Sequence, residues 1–275
     1  MGMVLETIEK SDSFQHIFVM RFSYPALGGF KMSASGLERA IEQLYDPERL
    51  ERRLHLFEKL TLPSLLSQSE KNFQLAIIIG KDMPPRHRNH LEFLLARMPN
   101  ATLFPLEPIH REVAHVISLM RDRNASFLAT TRLDDDDAIS NDCVDSIQRT
   151  CRNIIQTKML LPPVAIAFNN GLFLEKSEQG AKLYGVKQRT PLGIGLTLLT
   201  ASTEKQTVYT RNHRQAAAYW NCISDAANPS FIRSVHKDND SGARNDGIRI
   251  DYSEDQLREL LRERFTFSLD DLLGI

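Results

Sequence analysis

Four consecutive carboxylates, Asp134-Asp135-Asp136-Asp137, follow an apolar run from Ser126 to Leu133, SFLATTRL. They cannot be buried unpaired, because mutual repulsion and desolvation each cost several kcal/mol. In water they would form a solvated loop, or cap a helix starting near Ser140. Brought by a strand to the carboxyl edge of an α/β sheet, they make a concentrated negative site. Such a site suits a hard divalent cation, Mg²⁺ or Mn²⁺, with phosphate oxygens completing the shell. A bent backbone would aim the alternate carboxylates of Asp134 and Asp136 at one ion or at a ribose beside it.

The elements that must position these acids alternate along the chain. HIFVMRF (16–22) reads as a strand ending at Ser23-Tyr24-Pro25, and Gly28-Gly29 and Gly36 punctuate a loop that could fold over a ligand. Asp46 as N-cap, Pro47 in the first turn and early Glu48 predict a helix start. Leu50, Leu54 and Phe57 follow at helical spacing, and Pro63 should kink or restart the helix. Residues 73–80 (FQLAIIIG) predict a strand buried on both faces, as in a parallel sheet. Pro84-Pro85 opens a helix with Leu91, Leu94, Leu95 and Met98 on one face, followed by a short strand over 101–104. A helix over 109–123 carries Ile109, Val113, Val116, Ile117 and Met120. After the strand that ends in acids come a helix from Ile139 to Met159 and a strand from Val164 to Phe168. Asn169-Asn170-Gly171 reads as a hairpin turn, with Leu172–Glu175 and Leu183–Val186 as partner strands. Residues 187–212 carry no clear pattern. Arg214–Trp220 reads as a short helix and 237–247 as a polar, mobile stretch. Ser253 with Gln256 forms a capping box for a terminal helix bearing Leu257, Leu260 and Leu261. This order predicts a doubly wound α/β fold with a mixed, mostly parallel sheet flanked by helices, whose ligands bind beyond the strand carboxyl ends.

Composition narrows the partners. The 275 residues are 42% hydrophobic and 25% charged, the balance of a globular chain rather than a disordered or fibrous one. Lys+Arg 34 against Asp+Glu 35 gives −1, so no basic field advertises nucleic acid or an anionic membrane. No apolar run approaches the roughly 20 residues that span a bilayer, and the N-terminus carries no secretory signal, so cytoplasm is the expected compartment. Cys143 and Cys151 lie in one predicted helix, about 12 Å apart along its axis and too far for a disulfide. Cys222 stands alone without CxxC spacing, so reduced thiols are expected.

The stretch Thr131-Arg132-Leu133-Asp134-Asp135-Asp136-Asp137 resembles the DxD segment of GT-A nucleotide-sugar glycosyltransferases. More narrowly, His16–Tyr24, Tyr45–Gln68, Leu75–Met83 and Thr131–Ser140 resemble bacterial proteins classed as rhamnosyltransferases, over roughly residues 14 to 240. The resemblance implies one GT-A domain over 1–275, with a nucleotide half (14–140), an acceptor half (141–250) and a C-terminal helix and tail (251–275). It places Asp134 on the ribose or metal, Asp136 as the main metal ligand, and Asp135 among the nucleotide contacts. Arg132 would meet the acids or the diphosphate, Arg21 would line the nucleotide site, and Asp82 would lie near base or ribose. It also implies a downstream catalytic acid and a later histidine ligand, which Asp225 and His236 supply. His213 fits a surface or helix-face role. Mn²⁺ or Mg²⁺, a dTDP- or UDP-sugar, rhamnose favoured, and a saccharide acceptor are the implied cofactor and partners, with inversion expected.

Other readings stay open from the residues alone. The acids could serve a Mg²⁺-dependent nucleotidyltransferase or phosphohydrolase. A dehalogenase-type phosphatase is disfavoured, since the first strand carries no nucleophilic aspartate. A non-catalytic module holding a cation or a basic partner is the third possibility.

Overall fold

The first strand, β1 (Phe14–Arg21), is buried on both faces, and its alternate residues enter different layers. Ile17 and Val19 face one layer and Phe18 and Met20 the other, as the two-residue period of a strand requires. The computed structural model describes residues 12–27, 36–177, 180–236 and 247–275. After β1 come α1 (Leu37–Leu44), α2 (Pro47–Leu56), α3 (Leu62–Leu66), β2 (Gln74–Gly80), α4 (Pro85–Leu95), β3 (Ala101–Leu106), α5 (Glu112–Met120) and β4 (Phe127–Arg132). The chain continues through β5 (Ala138–Ile139), α6 (Cys143–Thr157), β6 (Val164–Phe168), β7 (Asn170–Ser177), β8 (Gly180–Lys187) and β9 (Thr197–Ala201). It closes with α7 (Ala216–Tyr219), β10 (Asn221–Asp225), β11 (Phe231–Val235), β12 (Ile248–Ile250), α8 (Glu254–Arg264) and α9 (Leu269–Gly274).

Among the described residues these strands form two sheets. The larger runs β10-β6-β9-β4-β1-β2-β3. Only β9 opposes its neighbours β4 and β6, so the other six strands point their carboxyl ends to one edge. Val113, Val116 and Ile117 of α5 cover one face, while α2, α4 and α6 cover the other with residues such as Leu54, Leu91 and Ile147. The fold is thus mixed α/β with a mostly parallel central sheet flanked by helices. The smaller sheet, β12-β8-β7-β11-β5, packs against α8 and α9 through Leu257, Leu261 and Leu272.

Local signals account for many boundaries. The Asp46 side chain accepts the Arg49 N–H at 2.8 Å and starts α2 with Pro47 in its first turn. Pro63 has no N–H to give, and a π-helical turn over Phe57–Thr61 joins α2 to α3 around it. The Ser253–Gln256 capping box caps α8. Cys143, Cys151 and Cys222 are free thiols.

Other expectations are corrected. Ile139 lies in β5, whose two residues pair with Ile232 and Phe231, so α6 begins later, at Cys143. The helix expected over 109–123 spans only Glu112–Met120, because Arg111 adopts a left-handed conformation with φ 59°. Asn169-Asn170-Gly171 is not a hairpin, since β6 and β7 belong to different sheets and the tripeptide is the corner between them. The patternless region contains β9, and α7 is shorter than expected and follows a single 3₁₀ turn. Gly28-Gly29 and 237–246 of the polar stretch lie outside the described residues.

Candidate active site

Strands β1, β2, β4, β6 and β10 end along one edge, at Arg21, Gly80, Arg132, Phe168 and Asp225. Two arginines converge there on one aromatic ring. The guanidinium carbons of Arg21 and Arg132 lie 4.7 and 5.1 Å from the centroid of Tyr209, a cation–π geometry. The Tyr209 hydroxyl donates to the Val19 carbonyl at 3.2 Å, which fixes the ring. Each guanidinium also meets a carboxylate, Arg21 with Glu112 at 3.2 Å and Arg132 with Asp134 at 3.1 Å. Gly193 makes room for this arrangement, since a Cβ there would lie 2.6 Å from Arg132 Nε.

The four aspartates divide into one open and three closed. Asp134 is crowded by protein, yet its side chain keeps 37% exposure. Burial raises its pKa, but the Arg132 charge outweighs that and holds the carboxyl below its usual range. Burial likewise opposes the Arg132 charge, and Asp134 more than compensates, so the guanidinium stays protonated. Asp135 is 1% exposed and is gripped by Arg53 through two hydrogen bonds, one from Nε at 3.1 Å. This corrects the expectation that Asp135 faces the nucleotide. Its carboxylate is committed to a buried ion pair, and its carbonyl accepts the Thr61 hydroxyl at 2.9 Å.

Asp136 Oδ2 accepts Arg53 Nη1 at 2.6 Å and lies 3.0 Å from His236 Nε2. Burial works against its charge, but Arg53 and then His236 hold its pKa well below the usual carboxylate range. Asp137 differs. Burial and the neighbouring charges of Asp136 and Asp134 push it well above the ordinary value, while its Oδ1 accepts the Ser234 N–H at 3.0 Å. His213 approaches Arg132, whose Nη1 donates to His213 Nδ1 at 3.3 Å. Burial, then the Arg132 charge, lowers this imidazole to about 4. It is therefore neutral at pH 7 and able to accept, so the surface role expected for His213 is replaced by a place in the site.

The structure thus joins Arg132 to Asp134, Arg21 to Arg132 through Tyr209, and Asp136 to His236. It leaves Asp225 apart. Three strand spacings separate β10 from β4, roughly 14 Å at about 4.8 Å each. Asp225 is exposed there and accepts the Ala227 N–H at 2.8 Å in a tight turn. Asp82 is exposed just beyond β2, and its charge, after burial, helps raise the nearby Tyr45 to about 12. Sequence reasoning misses Arg53, Tyr209 and Gly193. Arg53 carried a signal, being a cation within the apolar stripe Leu50, Leu54, Phe57 that runs from α2 into the π-helical turn. Tyr209 and Gly193 lie in the patternless stretch and had none.

The donor set can be tested against a divalent cation. Asp136 Oδ2 is a hard oxygen donor of the kind Mn²⁺ and Mg²⁺ take, but in this structure it is hydrogen-bonded to Arg53 Nη1 at 2.6 Å and to His236 Nε2 at 3.0 Å, so an ion would have to displace the arginine. Among the described residues no group of three or more His, Cys, Asp or Glu side chains converges to hold an ion. An ion here would take its remaining ligands from phosphate and water, the ordinary situation of Mg²⁺ in phosphate-handling sites.

A family model described as "Putative rhamnosyl transferase" matches residues 15–247. The chain is similar to the crystal structure of S. aureus TarS 1-349 at 11% identity and TM-score 0.40, covering 80% of this chain and 60% of that one. For S. aureus TarS 1-349 in complex with UDP the values are 10%, 0.41, 90% and 64%. For the 4-diphosphocytidyl-2C-methyl-D-erythritol synthase of Anaerococcus prevotii DSM 20548 they are 12%, 0.31, 88% and 93%. The chain spans less than two thirds of the TarS chains it matches. No curated protein matches the sequence. Among the described residues no helix is long and apolar enough to cross a membrane.

Proposed function

The chain belongs to the family described as "Putative rhamnosyl transferase", and from that membership we propose that it transfers a sugar from a nucleoside diphosphate to a hydroxyl of a saccharide acceptor, with inversion. The donor is dTDP- or UDP-linked, and rhamnose is the first candidate sugar. One observation carries the reading: Arg21 and Arg132 converge on Tyr209 beside the half-open Asp134, at the carboxyl edge of a parallel sheet. A diphosphate leaves poorly unless positioned cations and donors meet its developing charge. The two guanidiniums are held for that task, and their pairing with Glu112 and Asp134 fixes where they point.

Asp134 then faces the ribose hydroxyls, with Asp82 on the base side. Asp136 and His236 would hold Mn²⁺ or Mg²⁺, which when bound offsets charge on the diphosphate. Asp135 and Arg53 anchor the acidic segment from behind. Asp225, on the outer strand, takes the proton from the acceptor hydroxyl, and attack opposite the diphosphate inverts the anomeric carbon.

Calorimetric titration of dTDP and UDP, with Mn²⁺ and then with EDTA, tests the reading. Nucleotide binding that weakens on chelation is expected. Equal affinity in both conditions would remove the cation from the account, and no binding in either would remove the nucleotide. Asp225→Asn keeps shape but loses the base, so transfer should fall about 10²–10⁴-fold with nucleotide affinity retained.

A further inference from the structure

Farther along the same sheet edge, neutral polar side chains keep buried atoms that no described residue bonds. Asn169 and Asn170 turn the chain from β6 into β7, and Gln188 and Thr190 follow β8. The Gln188 N–H donates to the Asn169 carbonyl at 2.7 Å, and Asn169 Nδ2 donates to the Gln188 carbonyl at 3.2 Å. Asn170 Nδ2 reaches the Ala226 and Ala227 carbonyls at 3.5 and 3.3 Å, in the turn after Asp225. These bonds fix the side chains but do not satisfy them. Among the described residues, Asn169 Oδ1, Asn170 Oδ1, Thr190 Oγ1 and both ends of the Gln188 amide are buried without a hydrogen-bond partner. Asn170 is 3% exposed and Gln188 4%.

Buried orphan polar atoms destabilise a fold, and native proteins keep few of them. A run of neighbours in this state points to a partner outside the chain. The location says which. The Asn169 N–H donates to the Asp225 carbonyl at 2.8 Å, so the group adjoins the strand that carries the proposed base. From Gln188 the chain runs five residues to Gly193, which packs on Arg132. That segment spans at most about 18 Å, so the amides lie within reach of one nucleotide sugar bound at the arginines.

We infer that Asn169, Asn170, Gln188 and Thr190 form a subsite for the hydroxyls of a sugar ring. A primary amide offers a donor and an acceptor side by side, which matches two adjacent hydroxyls that each give and accept. The cluster carries no charge, so it suits a neutral polyol rather than a phosphate. The inference rests on the glycosyltransferase reading for the source of the ring, the donor's sugar or the acceptor's.

Gln188→Leu preserves bulk and removes both polar ends. Because the amide has no partner among the described residues, the variant should melt at or above the wild-type temperature. Its affinity for dTDP, by calorimetry, should stay within about twofold of wild type, since the arginines are untouched. Its affinity for dTDP-rhamnose, or for methyl rhamnoside followed by saturation-transfer NMR, should fall about tenfold, the loss of one or two hydrogen bonds. Loss confined to dTDP-rhamnose assigns the donor's ring, and loss confined to methyl rhamnoside the acceptor's. A lower melting temperature would make the amide a structural group, and unchanged binding of both sugars would leave no subsite; either overturns the inference. If wild-type protein binds neither dTDP nor UDP, the glycosyltransferase reading fails instead. The methyl rhamnoside comparison, run without nucleotide, then decides the subsite alone.

Discussion

Arg53 shows what a single buried charge does in this protein. Its guanidinium meets both Asp135 and Asp136, carboxylates that are 1% and 4% exposed. Removing it leaves two buried anions side by side, a change that costs about 3–5 kcal/mol when one partner of a buried pair is lost. Arg53→Leu should therefore lower urea-derived stability by that amount, although its side chain is buried behind the half-open Asp134. A loss below about 1 kcal/mol would show that the pair does not hold the acidic segment. His16 makes the opposite point. It is buried beside Thr131, with 2.8 Å between Nε2 and Oγ1, and burial lowers its pKa to about 3. The unfolded chain binds that proton near pH 6.5 and the folded chain does not. Stability from this group is therefore complete above pH 6.5 and drains away as pH falls toward 3, by about 1.4 kcal/mol per unit. Urea unfolding at pH 7.5 and 5.0 should show a wild-type loss of about 2 kcal/mol from this source that His16→Gln lacks. Identical pH slopes for the two proteins would contradict the burial account.

At the scale of elements, the corner at Asn169-Asn170-Gly171 decides how the two sheets meet. A Cβ on Gly171 would fall 2.3 Å from the ring of Phe231, which is fully buried in β11. Gly171→Ala must push that ring aside, and overpacking of this kind costs about 1–3 kcal/mol. Thermal unfolding should register the loss; an unchanged melting temperature would mean that the ring has room to move. The same corner marks a limit of sequence reading. Small polar residues with glycine serve a tight hairpin and a switch between sheets equally well, and only tertiary pairing tells them apart. The parallel strands were legible because burial on both faces leaves continuous apolar runs, as in Leu75–Ile79. β9 was not, since its TLLTA run sits in a Gly/Thr-rich stretch and runs against its neighbours. The two-residue β5 read as the start of a helix for a similar reason: it is held by β11, far away in the chain.

For the molecule as a whole, the acids of the site and the neighbouring Arg132 were legible, and the counter-charge behind them, Arg53, was not. Asp134 to Asp137 declare themselves by repetition after an apolar strand, whereas Arg53 is brought from 82 residues away and Tyr209 from the far side of β9. The fold assembles one edge where arginines, an aromatic ring, carboxylates and neutral amides follow each other from β1 to β10. The arginines suit a diphosphate, the half-open carboxylate beside them a ribose, and the neutral amides a sugar. The most direct test is ³¹P NMR of wild-type protein with dTDP-rhamnose or a UDP-sugar, Mg²⁺ and a saccharide acceptor. Glycosyl transfer breaks the bond between the anomeric carbon and the diphosphate oxygen, so intact dTDP or UDP should accumulate, and Arg132→Met should slow that accumulation at least about tenfold. Release of the nucleoside monophosphate would mean cleavage between phosphorus atoms, the chemistry of a nucleotidyltransferase or phosphohydrolase, and would contradict glycosyl transfer.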